Sequence, residues 1–206
     1  MNEQEVNKYL ADRLGVKPEL VPYFVELQRD KVIINPLLPD SIRQLGRSMD
    51  LSSGQRVLDL ACGKAGVSLP LVLIYKVELL GIDILPEFIR QAWSRAEASG
   101  LYHLCDFIND DAAQFVEKTK STWDAVLMLG ASFIWENLEG ALKVLPKLVS
   151  PGGHLVIGEP YYKPEAKKLP EMAFLSKEET TARMEKTGQV IEIIDDGEKG
   201  WQETYV

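Results

Sequence analysis

Three aspartates, Asp59, Asp83 and Asp111, and one loop of small residues, Ala61 to Gly66, are the groups most able to do chemistry in this sequence. Each carboxylate falls where an apolar run ends. Placed together, such carboxylates accept from hydroxyl, amine or exocyclic amino donors, and a small-residue loop lets the backbone approach a ligand. That combination suits part of a nucleotide. Asp110 competes with Asp111, because the register of NDDA leaves either one free to turn inward.

The elements that must position these groups are legible as alternating patterns. Strands are predicted at 56–62, 76–84, within 103–110, at 122–129, 154–160 and 190–196. Helices are predicted at about 64–75, 86–99 and 136–149, and from the Ser176/Glu179 capping box to Gly188. Pro70 is an awkward tenant of the first of these. Pro86 near a helix start and Gly100 just past its end mark the second. Strands alternating with helices at this spacing imply an α/β fold, a doubly wound and mostly parallel sheet. Residues 1–50 carry no strand signal and read as a separate helical segment, with helices at 2–14, 20–30 and 41–49. Residues 51–206 form the α/β domain. The closing GWQETYV fits either a last antiparallel strand or the start of a helix.

In open parallel sheets, ligands bind outside the carboxyl ends of the strands. The three aspartates and the small-residue loop all fall there, as do Leu129-Gly130 and Glu159-Pro160-Tyr161-Tyr162. Ala61-x-Gly63-x-x-Gly66 narrowly misses the dinucleotide fingerprint, with alanine in place of its first glycine.

VLDLACGKAG resembles motif I of the class I S-adenosylmethionine-dependent methyltransferases. GIDI, NDDAAQF, WDAVLMLGA and LVSPGGHLVIGEP resemble the four motifs that follow, in order, over residues 55–160. The resemblance implies a Rossmann-like fold, S-adenosylmethionine as methyl donor, S-adenosylhomocysteine as product, and no metal. It implies that Asp59 orients the loop or meets the donor's ammonium. Backbone amides of Ala61, Cys62, Gly63, Lys64 and Gly66 would meet its carboxylate near a helix N-terminus. Asp83 would accept both ribose hydroxyls, and Ile84 would lie against adenine. Asp111 would take the adenine amino group and Ala112 a ring nitrogen, with Leu129 and Gly130 near the sulfonium. One departure is Ala65, where the family often has glycine. Alanine prefers negative φ, so the loop is expected to differ in shape there. A nicotinamide-dependent oxidoreductase is the competing enzyme class. Pyrophosphate wants the missing first glycine, which counts against it.

Composition narrows the rest. The chain has 206 residues, 23 basic and 31 acidic, for a net charge of -8. That balance argues against a nucleic-acid partner. No apolar run reaches the roughly 20 residues that span a bilayer. The polar N-terminus is no signal peptide, so the cytoplasm is the expected location. Two cysteines, Cys62 and Cys105, and two histidines, His103 and His154, make no disulfide framework or zinc set.

The acceptor is expected to be a small molecule, reached by in-line displacement. Phe133, Trp135, Glu159, Tyr161 and Tyr162 are the candidate pocket walls. The leading helices, with Tyr23 and Phe24, are a candidate lid. A donor-binding module without acceptor chemistry is the non-enzyme alternative.

Overall fold

The computed structural model describes residues 3–163, 174–197, 199 and 200. Five parallel strands form one sheet: β1 (Arg56–Leu60), β2 (Glu78–Asp83), β3 (Cys105–Asn109), β4 (Trp123–Leu129) and β5 (Val149–Gly158). Their order is β3-β2-β1-β4-β5. The order reverses beside β1, which is the switch point where a crevice opens.

Alternation along the strands feeds two cores, one on each face. Val57, Leu79, Phe107, Ala125 and Leu127 point into one. Leu58, Leu60, Ile82, Val126 and Met128 point into the other. Covering the first face are α3 (Pro39–Ser48), α4 (Ser68–Tyr75) and α5 (Pro86–Ala98); α6 (Ala112–Lys118) and α7 (Leu138–Val144) cover the second. Two more helices, α1 (Glu3–Leu14) and α2 (Val21–Leu27), precede α3. The expected sheet architecture is therefore present. Helix α3 shares the first core through Ile42 and Leu45, although it lies before residue 51.

Several local expectations are corrected. The helix after β1 starts at Ser68, not near Lys64, which puts Pro70 in the first turn where its missing N–H costs nothing. It ends without glycine because Lys76 takes the left-handed conformation, with φ 57°. Helix α6 escaped the sequence reading. It is seven residues long, with Ala112 and Val116 buried and Ala113 and Phe115 packed partly against the core. Residues 136–149 are not one helix: Pro146 lies in a 3-10 turn after α7, and β5 begins at Val149. The SPGG segment thus belongs to β5, at a register shift opposite Trp123 and Ala125.

The helix after the capping box is α8 (Lys177–Met184), shorter than predicted, and the box itself is present. A small second sheet pairs β6 (Tyr161–Tyr162) with β7 (Leu175–Ser176). Residues 190–196 are not a strand. Their acids turn to side chains and caps instead. Glu192 accepts from Gln44 and Ser48 on α3. Asp196 accepts from the Leu38 amide at 2.7 Å and the Ser41 hydroxyl at 2.6 Å. Ile191 and Ile193 are left exposed. The predictions for 201–206 lie outside the described residues. Among the described residues no helix is long and apolar enough to cross a membrane.

Candidate functional site

A cavity of about 1840 Å³ opens at the carboxyl ends of the strands and runs on along β5 to residues 187–197. The loop after β1 forms its floor. Ala61, Gly63 and Ala65 have φ of 56°, 56° and 54°, while Cys62 and Lys64 between them do not share the positive sign. Alternation of this kind turns successive amides toward one side and makes an anion-binding concavity. Ala65 thus corrects the expectation that alanine would hold negative φ. It keeps the left-handed shape at a cost of roughly 1–3 kcal/mol, as strained functional loops do. Cys62 sits behind the loop, its amide donating to Ile82 O at 2.9 Å and its thiol pushed well above the ordinary range by burial.

Asp83, the last residue of β2, is buried and accepts twice from backbone. Gly63 N donates to Oδ2 at 2.7 Å, and Leu85 N donates to Oδ1 at 2.9 Å. One carboxylate thereby shapes both the β1 loop and its own turn. Each oxygen keeps a further lone pair for a ligand hydroxyl. Burial outweighs these bonds and pushes its pKa up to about 6. Asp59, also buried, is pushed up to about 7, first by burial and then by the charge of Asp83, against a lowering bond from Ser68. Two carboxylates this poorly solvated are matched to a cationic or hydroxyl-rich guest.

Lys64 does not turn its side chain toward the cavity floor. Its ammonium donates to Gln28 O and Arg29 O, both at 2.6 Å, at the end of α2. Burial lowers its pKa, and Asp30 opposes that shift. Arg95 donates to Lys64 O at 2.7 Å. The residues joining α2 to α3 press on the same loop. A Cβ at Gly66 would lie 2.3 Å from Val32 O, and one at Gly63 would meet Ile34. Only glycine at 66 allows that approach.

On the other side of the crevice, Asp111 caps α6, its Oδ1 accepting from Ala113 N at 2.7 Å and Gln114 N at 3.2 Å. Asp111 and Ala112 are buried and line the cavity with Ile84; Asp110 does not line it and instead accepts from Asp111 N. Leu129 and Gly130 complete the wall. Gly130 N donates to Gly158 O at 2.7 Å, and a Cβ at Gly130 would enter open space.

The proposed pocket walls divide. Phe133, Glu159 and Tyr161 line the cavity. Trp135 does not; it packs beside the second core, its carbonyl against Gly140. Tyr162 does not line it either and stacks at a tilt on Phe174. Of the candidate lid residues, Phe24 lines the cavity and Tyr23 points to solvent, 68% exposed.

Residues of α1 went unnoticed in the sequence. Tyr9 faces the Asp111 carboxylate, and burial together with that carboxylate pushes its pKa up to about 12. Arg13 donates to the carbonyls of Phe133, at 3.3 Å, and Ile134. Tyr9 and Arg13 are four apart, so one helix face presents both. That spacing was the available signal, but nothing in the sequence says what the face covers. Among the described residues no three of His, Cys, Asp or Glu are placed to hold a metal.

A family model described as a methyltransferase domain matches residues 57–153. The Escherichia coli protein YjhP is 34% identical over 131 residues, 64% of this chain and 52% of its own length. Two named methyltransferases match shorter stretches. Sterol 24-C-methyltransferase erg6 of Aspergillus fumigatus is 29% identical over 53% of this chain and 29% of its own. The 23S rRNA (uracil(1939)-C(5))-methyltransferase RlmD of Shewanella sediminis is 31% identical over 56% and 27%. The chain spans about half of YjhP and less of the other two. Among solved structures, a methyltransferase of Thiobacillus denitrificans in complex with S-adenosyl-L-homocysteine superposes with a TM-score of 0.78. It is 29% identical and covers 89% of this chain and 77% of its own. One from Geobacter sulfurreducens, in complex with the same molecule, gives 0.79 at 27% identity, with 88% and 76% covered. The sheet order, the loop and these likenesses define a Rossmann-like nucleotide-binding fold of the methyltransferase type. By its match over residues 57–153 and by its fold, the chain is similar to the class I S-adenosylmethionine-dependent methyltransferases.

Proposed function

We propose that this chain binds S-adenosylmethionine in the cavity and transfers its methyl group to a small-molecule acceptor. The observation that carries the reading is Asp83. A buried carboxylate, held by two amides at the switch point, opens on a cavity with an anion-binding loop beside it. The fit is chemical at each end. The alternating φ values at 61–65 suit a carboxylate, and Asp59 suits the neighbouring ammonium. Asp83 takes the ribose hydroxyls, and Ile84 lies against adenine. Asp111, beside Tyr9, takes the adenine amino group while its Oδ1 caps the helix, and Ala112 offers its amide. Leu129 and Gly130 flank the sulfonium.

Bound there, S-adenosylmethionine supplies a methyl group on a good leaving group. The protein's work is therefore mainly alignment. The α1 and α2 helices act as a cover, tied to the donor loop by Lys64 and to the β4 end by Arg13. An acidic chain with a largely apolar cavity wall suits a small molecule better than a polyanion.

Incubation with methyl-labelled donor and a metabolite extract tests the reading. Label is expected to appear in small organic products. Label in added RNA alone would overturn the acceptor class. Tight donor binding with no transfer to either would favour a donor-binding module instead.

A further inference from the structure

Glu159 is the acid that the donor site does not use. It follows β5 directly, and the Gly130–Gly158 hydrogen bond sets it beside the wall assigned to the sulfonium. The Ser132 hydroxyl and amide face it and oppose the rise in its pKa that burial causes. Its Oε1 is enclosed and has no hydrogen-bond partner among the described residues. A buried acceptor without a donor is costly, so such atoms call for a reason. Glu159 lines the same cavity as Asp83 and Gly130, with Phe133 nearby on the Ser132 turn. Burial raises its pKa, which makes its carboxylate a better base than an exposed one.

We propose that Glu159 receives the acceptor's proton, so that the acceptor's nucleophile carries its own hydrogen, an amine or a hydroxyl on an apolar body. The claim rests on the donor-site reading above. The step balances without another reactant. The nucleophile's electron pair forms the bond to the methyl carbon, and the carbon–sulfur bond breaks with its pair staying on sulfur. The N–H or O–H bond breaks with its proton passing to the Glu159 carboxylate. This differs from the two named relatives, whose names place the methyl on carbon.

Sinefungin gives a test that needs no acceptor. In this donor analogue an amine-bearing carbon replaces the methylated sulfur, so its ammonium points where the methyl would go. Calorimetry compares it with S-adenosylhomocysteine on the whole chain and on Glu159→Gln. The parent is expected to prefer sinefungin by about tenfold or more, the scale of a charged hydrogen bond. In Glu159→Gln that preference falls toward unity while S-adenosylhomocysteine still binds. Were Glu159 merely bracing the Ser132 turn, both ligands would weaken together and the preference would persist. An unchanged preference therefore overturns the proposal. Failure of S-adenosylhomocysteine to bind the parent chain would instead remove the donor-site reading beneath it. Transfer of labelled methyl from the extract screen to carbon alone would also overturn it.

Discussion

The unliganded protein is expected to become less stable as pH rises from about 5 to 7.5, and Asp59→Asn to lose most of that slope. In an unfolded chain both buried aspartates titrate near 3.8; in the folded one they hold protons to about 7 and about 6. Between those limits the folded state binds more protons, so stability falls with rising pH. A shift from 3.8 to about 7 corresponds to about 4 kcal/mol at Asp59, and to about 6 corresponds to about 3 kcal/mol at Asp83, at 1.36 kcal/mol per unit. The two carboxylates repel each other, so these figures are not additive. Scanning calorimetry at a series of pH values reads the effect. Asp59→Asn should melt above the parent at pH 8 and by less than half that margin at pH 5, where part of the penalty is already present. Equal melting temperatures at both would contradict the buried, poorly solvated Asp59 on which the site depends. The same substitution is expected to weaken donor binding, since the carboxylate that destabilises the empty fold is the one proposed to meet the ammonium.

Asp83→Ala is expected to weaken binding of S-adenosylhomocysteine by roughly 1–3 kcal/mol, the cost of removing a hydrogen-bonded charged partner. The structure puts the effect at the upper end of that range. Asp83 also holds Gly63 N and Leu85 N, so the variant loses the shape of the β1 loop as well as the proposed ribose contact. Asp83→Asn keeps one acceptor oxygen and should fall between the two. Titration calorimetry on variants that retain the parent's circular dichroism decides it. Unchanged affinity in folded Asp83→Ala would take Asp83 out of the site.

Residues whose role depends on strand ends were legible, because a parallel sheet fixes where strand ends go. Asp59, Asp83 and the 61–66 loop follow from apolar runs that stop and from small residues that follow. Residues whose role depends on what packs above the sheet were not. Lys64 belongs to the loop by sequence, yet its side chain leaves to cap α2. Trp135 and Tyr162 sit beside true lining residues but are turned away, a distinction that the short 3-10 turn at 132–135 and the β6–β7 pairing decide. Ala65 misled because its preference is local, whereas the Asp83 bond to Gly63 and the 32–34 segment fix the loop from outside. Residues 190–196 alternate like a strand, but alternation supplies no partner edge. Their acids found donors on α3 and at Lys177 instead. Tyr9 and Arg13 reach the site from more than a hundred residues away, which no local pattern encodes.

A donor nucleoside is proposed to lie across the switch point of the sheet. A crystal structure of the chain soaked with S-adenosylhomocysteine tests it most directly. The ribose diol is expected on Asp83, the adenine amino group on Asp111 and the amino-acid carboxylate against the 61–66 amides. Density for the ligand elsewhere, or an ordered cavity floor left bare at saturating ligand, would contradict it.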